Sequence, residues 1–84
     1  MNTLKRTLAI ELERKKIGKA VHVIRNRQKM TQEELAERAG ISRKSINAIE
    51  KGSINFTHEL LFFIAFALDI SVKDIYAEAG EVQL

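Results

Sequence analysis

The stretch from Thr31 to Gly52 places two helix-start signals on either side of a single glycine. Thr31 is followed three residues later by Glu34, the spacing of a capping box, in which two side chains satisfy backbone donors at a helix start. Gly40 suits the left-handed conformation that ends a helix, because it has no Cβ to clash. Ser42 is the next N-cap candidate. The pattern predicts two short helices joined by a tight turn at this glycine.

Apolar residues in the same stretch recur at helical spacing and define an inward side. Met30 and Leu35 flank the first cap as a hydrophobic staple, and Ile41 and Ile46 flank the second. The remaining surface of the second helix carries side chains that donate hydrogen bonds: Arg43, Lys44, Ser45 and Asn47. A short gap forces a steep crossing of the two helices, so the second helix can enter a DNA major groove.

The chemistry of that surface has two interpretations. Arg43 and Lys44 would reach guanine O6 and N7, and Asn47, one turn further on, could pair with adenine N6 and N7. Alternatively, these side chains form a solvated helix face, as most charged faces do. Spacing alone does not separate the two, because any helical hairpin offers similar material.

A wider set of residues resembles the helix-turn-helix of the lambda-repressor and Cro-like (XRE-type) transcription regulators. The shared features are Gln32 at the start of the first helix, the L-A-x-x-x-G run, I-S at the turn and I-x-x-I-E-K-G at the end of the second helix. The resemblance extends from about Ile17 to Tyr76 and so covers a whole domain. It implies an all-α fold, a compact five-helix repressor-like domain, and sequence-specific binding of double-stranded DNA.

The resemblance also implies roles for individual residues. Arg43, Lys44 and Asn47 would contact bases, and Arg25 and Glu50 would form a structural ion pair. A further group would contact the DNA backbone: Gln32, Ser42, Ser45, Lys51 and Asn55.

The charge distribution supports a nucleic-acid partner. The net charge is +3, but residues 1–52 carry 13 Lys or Arg against 6 Asp or Glu, whereas residues 53–84 carry 1 against 5. The basic half contains the candidate recognition helix. This asymmetry suits a domain that presents one face to phosphates and another to protein.

Other function classes find little support in the composition. The chain has no cysteine, which excludes a disulfide framework and a thiolate metal site. His22 and His58 stand far apart and are interpreted as ordinary helix residues, so we expect no metal and no cofactor. There is no nucleophile–base constellation, paired-carboxylate pocket or phosphate-cradling glycine loop, which argues against an enzyme. Without a transmembrane run or signal peptide, we expect a cytoplasmic protein with no membrane partner.

Outside the central stretch, apolar residues spaced by three and four and the lack of proline predict helices throughout. Residues 3–16 carry Leu4, Leu8 and Leu12 on one stripe, which predicts an amphipathic helix added to the family's domain. Gly18 weakens a continuous helix at this point but need not break it. We therefore expect an extension at 1–16, a DNA-binding domain at 17–78 and a short tail at 79–84.

Two further helices are predicted after the central stretch. Thr57 and Ser71 are their N-cap candidates, and Gly80 is the expected end of the second. The first of these helices is hydrophobic nearly all round. Its core side is predicted to hold Leu61, Ile64, Ala65 and Leu68, with Phe63 and Phe66 on the opposite side.

The two phenylalanines need a cover, and two are available. The stripe of Leu4, Leu8 and Leu12 could pack on them within one chain, or the surface could form a symmetric dimer, with exchange of the N-terminal helices as one form of it. A homodimer is favoured because two recognition helices read two half-sites of a partly palindromic operator. The protein would then be a repressor or controller protein.

A second hypothesis gives Phe63 and Phe66 a different role. The protein would be of antitoxin type, with a partner protein bound through this apolar surface as its main function. DNA binding would then be secondary.

Overall fold

The computed structural model describes residues 2–84, which contain helices and no strand. The helices are α1 (Thr3–Arg27), α2 (Gln32–Ala39), α3 (Arg43–Lys51), α4 (His58–Ala67) and α5 (Val72–Glu81). This confirms the all-α, five-helix fold, although the first residue of the predicted 1–16 extension lies outside the described residues. None of the helices within 2–84 is long and apolar enough to cross a membrane.

Side-chain caps begin the four helices from α2 to α5, as predicted. Thr31 accepts the Glu34 backbone N–H at 3.0 Å, and the Glu34 carboxylate accepts the Thr31 N–H at 3.1 Å, which completes the capping box. These bonds lower the pKa of Glu34. Ser42, Thr57 and Ser71 each accept a backbone N–H at the start of the next three helices, and Ser71 completes a second capping box with Asp74. Each cap satisfies a backbone donor that the first turn leaves without a helical partner.

The turns at the glycines follow the prediction in one case and depart from it in another. Gly40 ends α2 in the left-handed conformation, with φ of 71°. Gly80 has no such backbone, and α5 continues through it to Glu81. The predicted stop at Gly80 was therefore wrong by one residue.

The N-terminal extension is not a separate helix, because α1 runs unbroken through Gly18. A Cβ at Gly18 would lie 2.2 Å from the Ile49 carbonyl oxygen and 2.8 Å from that of Glu50. The glycine thus allows α1 to press against the last turn of α3. It is a packing residue within a helix, and the predicted extension is the N-terminal half of α1.

A second close approach fixes the same crossing. Gly52 ends α3 with φ of 69°, and a Cβ there would lie 2.8 Å from the Lys15 Cα. Two backbone contacts, at Gly18 and at Gly52, therefore hold α3 against α1. This rigid crossing determines how α3 is presented to solvent.

Apolar side chains from all five helices form the core. Leu61, Ile64, Ala65 and Leu68 of the α4 region are buried as predicted. The other buried apolar residues are Ile17, Ala20, Val21, Ile24, Met30, Leu35, Ala36, Ile46, Ile49, Ile75 and Ala79.

Two apolar surfaces remain outside the core. The first is the leucine stripe, made of Leu4, Leu8 and Leu12, and the second is the aromatic face, made of Phe62, Phe63 and Phe66. Phe62 packs edge-on against Phe63 at 6.1 Å and lies 6.3 Å from Phe66. Phe62 was not predicted to belong to this surface.

The leucine stripe does not cover the aromatic face within the chain. Leu8 is 55% exposed and Phe66 is 74% exposed. The reason lies in the continuity of α1. At 100° per residue, Leu8 lies roughly opposite Val21, which points into the core. The single-chain cover is thus excluded as an alternative.

Candidate nucleic-acid interface

Helix α3 presents a polar side to solvent because its apolar residues face the core. Ile46 and Ile49 are fully buried. On the opposite side of α3, an arc of roughly 100° carries Arg43, Lys44 and Asn47. These three residues line one open hollow of about 370 Å³. The structure thus brings together the three residues for which base contacts were predicted.

Gln32 and Asn47 are joined by a hydrogen bond between the two helices of the motif. The Gln32 Nε2 donates to the Asn47 Oδ1 at 3.3 Å and to the Glu50 Oε1 at 3.2 Å. The Asn47 carbonyl oxygen is held by this bond, and its amide nitrogen keeps its hydrogens for another acceptor. Gln32, predicted as a phosphate contact, therefore also sets the orientation of Asn47.

Arg25 and Glu50 lie where the resemblance implied an ion pair. The Arg25 Nε donates to the Glu50 Oε2 at 2.7 Å, and the Nη2 donates to the Oε1 at 2.9 Å, a two-bond geometry that is among the stronger kinds of ion pair. The Arg25 Nη1 also donates to the Met30 carbonyl at 2.7 Å. Both side chains are nearly buried, with exposures of 8% and 4%. The pair ties α1 to α3.

The environment keeps this pair charged. Burial alone would raise the pKa of Glu50, but hydrogen bonds from Arg25, His22 and Gln32 outweigh it and hold the pKa below its ordinary value. The hydrogen bond to Glu50 raises the pKa of Arg25. Glu50 is therefore an ionised acceptor at the centre of the network that ends at Asn47.

His22 belongs to the same network, which the sequence interpretation missed. Its Nδ1 lies 3.0 Å from the Glu50 Oε1, and its Nε2 lies 2.9 Å from the Asn26 Nδ2. A neutral ring with its hydrogen on Nδ1 donates to Glu50 and accepts from Asn26. The signal was present in the spacing, since His22 precedes Arg25 by three residues and shares its side of α1.

A second hollow, of about 290 Å³, lies beside this network. Gln32, Asn47 and Lys51 line it together with Lys19, His22 and Glu50. Lys19 and Lys51 are exposed, so two ammonium groups border a hollow that also holds amide groups and the Glu50 carboxylate, whose charge is paired with that of Arg25. This arrangement suits an anion such as a DNA phosphate. Lys19 was not among the predicted residues.

The other residues predicted to contact the DNA backbone do not line the hollow that Gln32 and Lys51 line. The Ser42 Oγ accepts the Ser45 N–H at 3.0 Å and donates to the Ser45 Oγ at 2.9 Å, so both hydroxyls take part in the cap of α3. Asn55 lines a separate hollow with Ile10, Arg14 and Phe56. It does not share the hollow of Gln32.

With this geometry in place, comparison with known proteins decides the family. A helix-turn-helix family model matches residues 22–75. The chain belongs to the XRE-type helix-turn-helix family. It carries the helix-turn-helix that repressor-like transcription regulators share.

Similar proteins include two named repressors. The chain is 35% identical over 60 residues, 71% of its length, to the competence pilus inhibition repressor of Acinetobacter baylyi. It is 37% identical over 62 residues, 74% of its length, to the immunity repressor protein of Bacillus phage phi105. The matches span 54% and 43% of those two proteins, so the chain corresponds to about half of each.

Solved structures share the fold over most of their length. The clp gene regulator ClgR of Corynebacterium glutamicum is 33% identical, with a TM-score of 0.79, and the match covers 86% of this chain and 95% of that one. The restriction-modification controller protein C.AhdI of Aeromonas hydrophila is 28% identical, with a TM-score of 0.71, and the match covers 73% and 92%.

Proposed function

We propose that this regulator binds a partly palindromic operator as a homodimer and acts as a repressor or controller protein. The observation that carries the proposal is the common hollow of Arg43, Lys44 and Asn47 on the exposed side of α3. Three donors grouped in this way suit the edges of bases in a major groove. The names of the similar repressors and of the controller protein support the regulatory role.

Specificity and affinity are assigned to different residues. Arg43 and Lys44 read guanine, and Asn47 reads adenine in the orientation that Gln32 gives it. Phosphate contacts supply most of the binding free energy and position the protein. We assign them to residues around the two hollows and the cap: Lys19, Gln32, Ser42, Ser45, Lys51 and Asn55.

The homodimer is supported by the exposed aromatic face. Phe62, Phe63 and Phe66 each have about half or more of their surface in solvent, and burying one such side chain stabilises an assembly by roughly 1.5–3 kcal/mol. Two copies related by a two-fold axis match an operator whose half-sites lie about one helical turn apart.

The test is selection of binding sites from a randomised duplex pool at a stated salt concentration. We expect enrichment of an inverted repeat. The Arg43→Ala variant should lose preference at one position of each half-site, by about 1–3 kcal/mol of discrimination. Arg27→Ala is the charge-matched control, since Arg27 pairs with Glu78 of α5 at 2.9 Å and lies outside the hollow. Uniform weakening by Arg43→Ala over all sequences would assign Arg43 to a phosphate.

A second candidate function rests on the same aromatic face. In an antitoxin-type protein, Phe63 and Phe66 would bind a partner protein, with DNA binding secondary. Phe63→Ala would then abolish partner binding while Arg43→Ala left it intact. Selection without any enriched sequence would favour this function.

A further inference from the structure

The chain carries two exposed apolar surfaces that differ in shape and charge. The leucine stripe is a narrow row of aliphatic side chains on one side of α1. The aromatic face is a broader cluster on α4, in which the Phe62 ring lies beside those of Phe63 and Phe66. Contiguous exposed apolar surfaces of this kind mark sites of association.

The arm that carries the stripe, residues 3–14, cannot turn back onto its own domain. It continues α1 without a break, and the contacts at Gly18 and Gly52 hold the helix where it leaves the domain. The stripe points away from the core because its members Leu8 and Leu12 lie roughly opposite Val21 on the helix. Its cover must therefore come from another molecule.

Charges around the two surfaces are complementary. Within residues 3–16 there are five Lys or Arg and two Glu. Lys5, Lys15 and Lys16 stand one helical turn from members of the leucine stripe, as does Glu11, so the surroundings of the stripe are net basic. Glu59 stands one helical turn before the aromatic face, and Asp69 follows the end of α4 at Leu68. A face-to-face contact of two aromatic faces would bring these carboxylates toward each other, whereas a contact with the N-terminal half of α1 brings them toward a net basic surface.

The arm is also long enough to reach across a neighbouring domain. At 1.5 Å per residue its helix measures about 18 Å. The two shorter dimensions of the molecule are 23 and 19 Å. A cover would remove exposed leucine side chains from water, so the arm itself gains stability from such a contact.

We propose that the leucine stripe of one copy packs on the aromatic face of a second copy, and that the contact is made twice around a two-fold axis. Each subunit then gives an arm and receives one, which makes the interface self-complementary and closed. This inference rests on the homodimer proposed above and specifies the surfaces that join. A second copy is the occupant because it supplies, in one chain, both a basic aliphatic row and an acidic aromatic cluster.

The test uses the absence of cysteine from the sequence. Leu8→Cys and Phe66→Cys place single thiols on the arm and on the aromatic face, both at exposed positions, so neither change disturbs the core. The full-length variants, made distinguishable by a tag on one, are refolded together and treated with a short bis-maleimide. We expect cross-links between the two variants and few within either variant alone. Arg6→Cys, on roughly the opposite side of the same turn from Leu8, is the matched control and should cross-link poorly to Phe66→Cys.

Each other outcome overturns the proposal and identifies what replaces it. Cross-links between two Phe66→Cys chains would mean a face-to-face dimer, and cross-links between two Leu8→Cys chains would mean pairing of arms. A dimer in sedimentation equilibrium without any of these cross-links would reject the docking while the homodimer stands. A monomer at all concentrations would reject the homodimer as well.

Discussion

The two halves of α1 have similar aliphatic content and opposite surroundings. In the C-terminal half Ile17 is 4% exposed and Val21 is fully buried, whereas in the N-terminal half Ile10 is 50% exposed. The C-terminal half packs against α3 and α5, and the N-terminal half projects beyond them. Helical periodicity shows that a helix has an apolar side, but only tertiary contacts decide which part of that side is covered.

The largest expected effect is a loss of stability when an isoleucine in the C-terminal half of α1 is replaced, and the same substitution in the N-terminal half is the comparison. Ile17→Ala should lower the free energy of unfolding by about 2–5 kcal/mol, because it leaves a cavity in the core. Ile10→Ala, seven residues earlier on the same side of α1, removes the same atoms at a half-exposed site and should change stability by less than about 1 kcal/mol. Urea unfolding at low protein concentration measures both. Equal losses would mean that the N-terminal half is covered within the chain.

The turn of the helix-turn-helix was predictable because its chemistry is local. Thr31 and Glu34 interact across three residues, Gly40 needs only its own positive φ, and Ser42 caps the helix that follows it. Each signal depends on neighbours in the sequence and on general rules for helix ends. The residues on the exposed side of α3 followed from the same spacing.

The features that sequence missed depend on residues far apart in the chain. Gly18 is needed because Ile49 passes it in space, and a glycine within a helical pattern gives no sign of that. Gln32 holds Asn47, 15 residues away, and His22 meets Glu50, 28 residues away. Both contacts arise from the crossing of α1, α2 and α3. The residue spacing within any one helix does not reveal which distant residues such a crossing brings together.

A smaller effect on stability is expected from a substitution at Gly18, the glycine that separates the two halves of α1. Gly18→Ala places a methyl group against backbone oxygens that cannot move aside, which should destabilise the fold by about 1–3 kcal/mol. Gly80→Ala is the matched control, because Gly80 also lies within a helix but a Cβ there meets nothing within 4 Å. The control should gain up to about 1 kcal/mol, the helix preference of Ala over Gly. Thermal unfolding compares the two, and a gain at both positions would show that α1 and α3 lie further apart.

The smallest expected effect is on the pH dependence of stability, to which a buried carboxylate should contribute and an exposed carboxylate of the N-terminal half of α1 should not. The pKa of Glu50 is depressed below its ordinary value of 4.5, so its ionised form stabilises the fold above that pH. The contribution is lost as pH falls from about 4.5 through the folded-state pKa, with a slope of at most about 1.4 kcal/mol per pH unit for one carboxyl. Glu50→Gln lacks this contribution, so the difference in unfolding free energy between wild type and variant should be constant near neutral pH and shrink in acid.

The same substitution in the projecting half provides the control for this prediction. Glu11→Gln removes one carboxylate from an exposed position of α1, and its unfolding free energy should follow the wild-type pH curve. The pKa values of Glu34 and Asp74 are also lowered, by their caps, but both residues are present in every variant and cancel in the difference. An unchanged difference for Glu50→Gln down to pH 3 would mean that Glu50 is not held by Arg25 and His22. Since the same carboxylate anchors Gln32 and through it Asn47, that result would also remove the basis for a pre-oriented base contact.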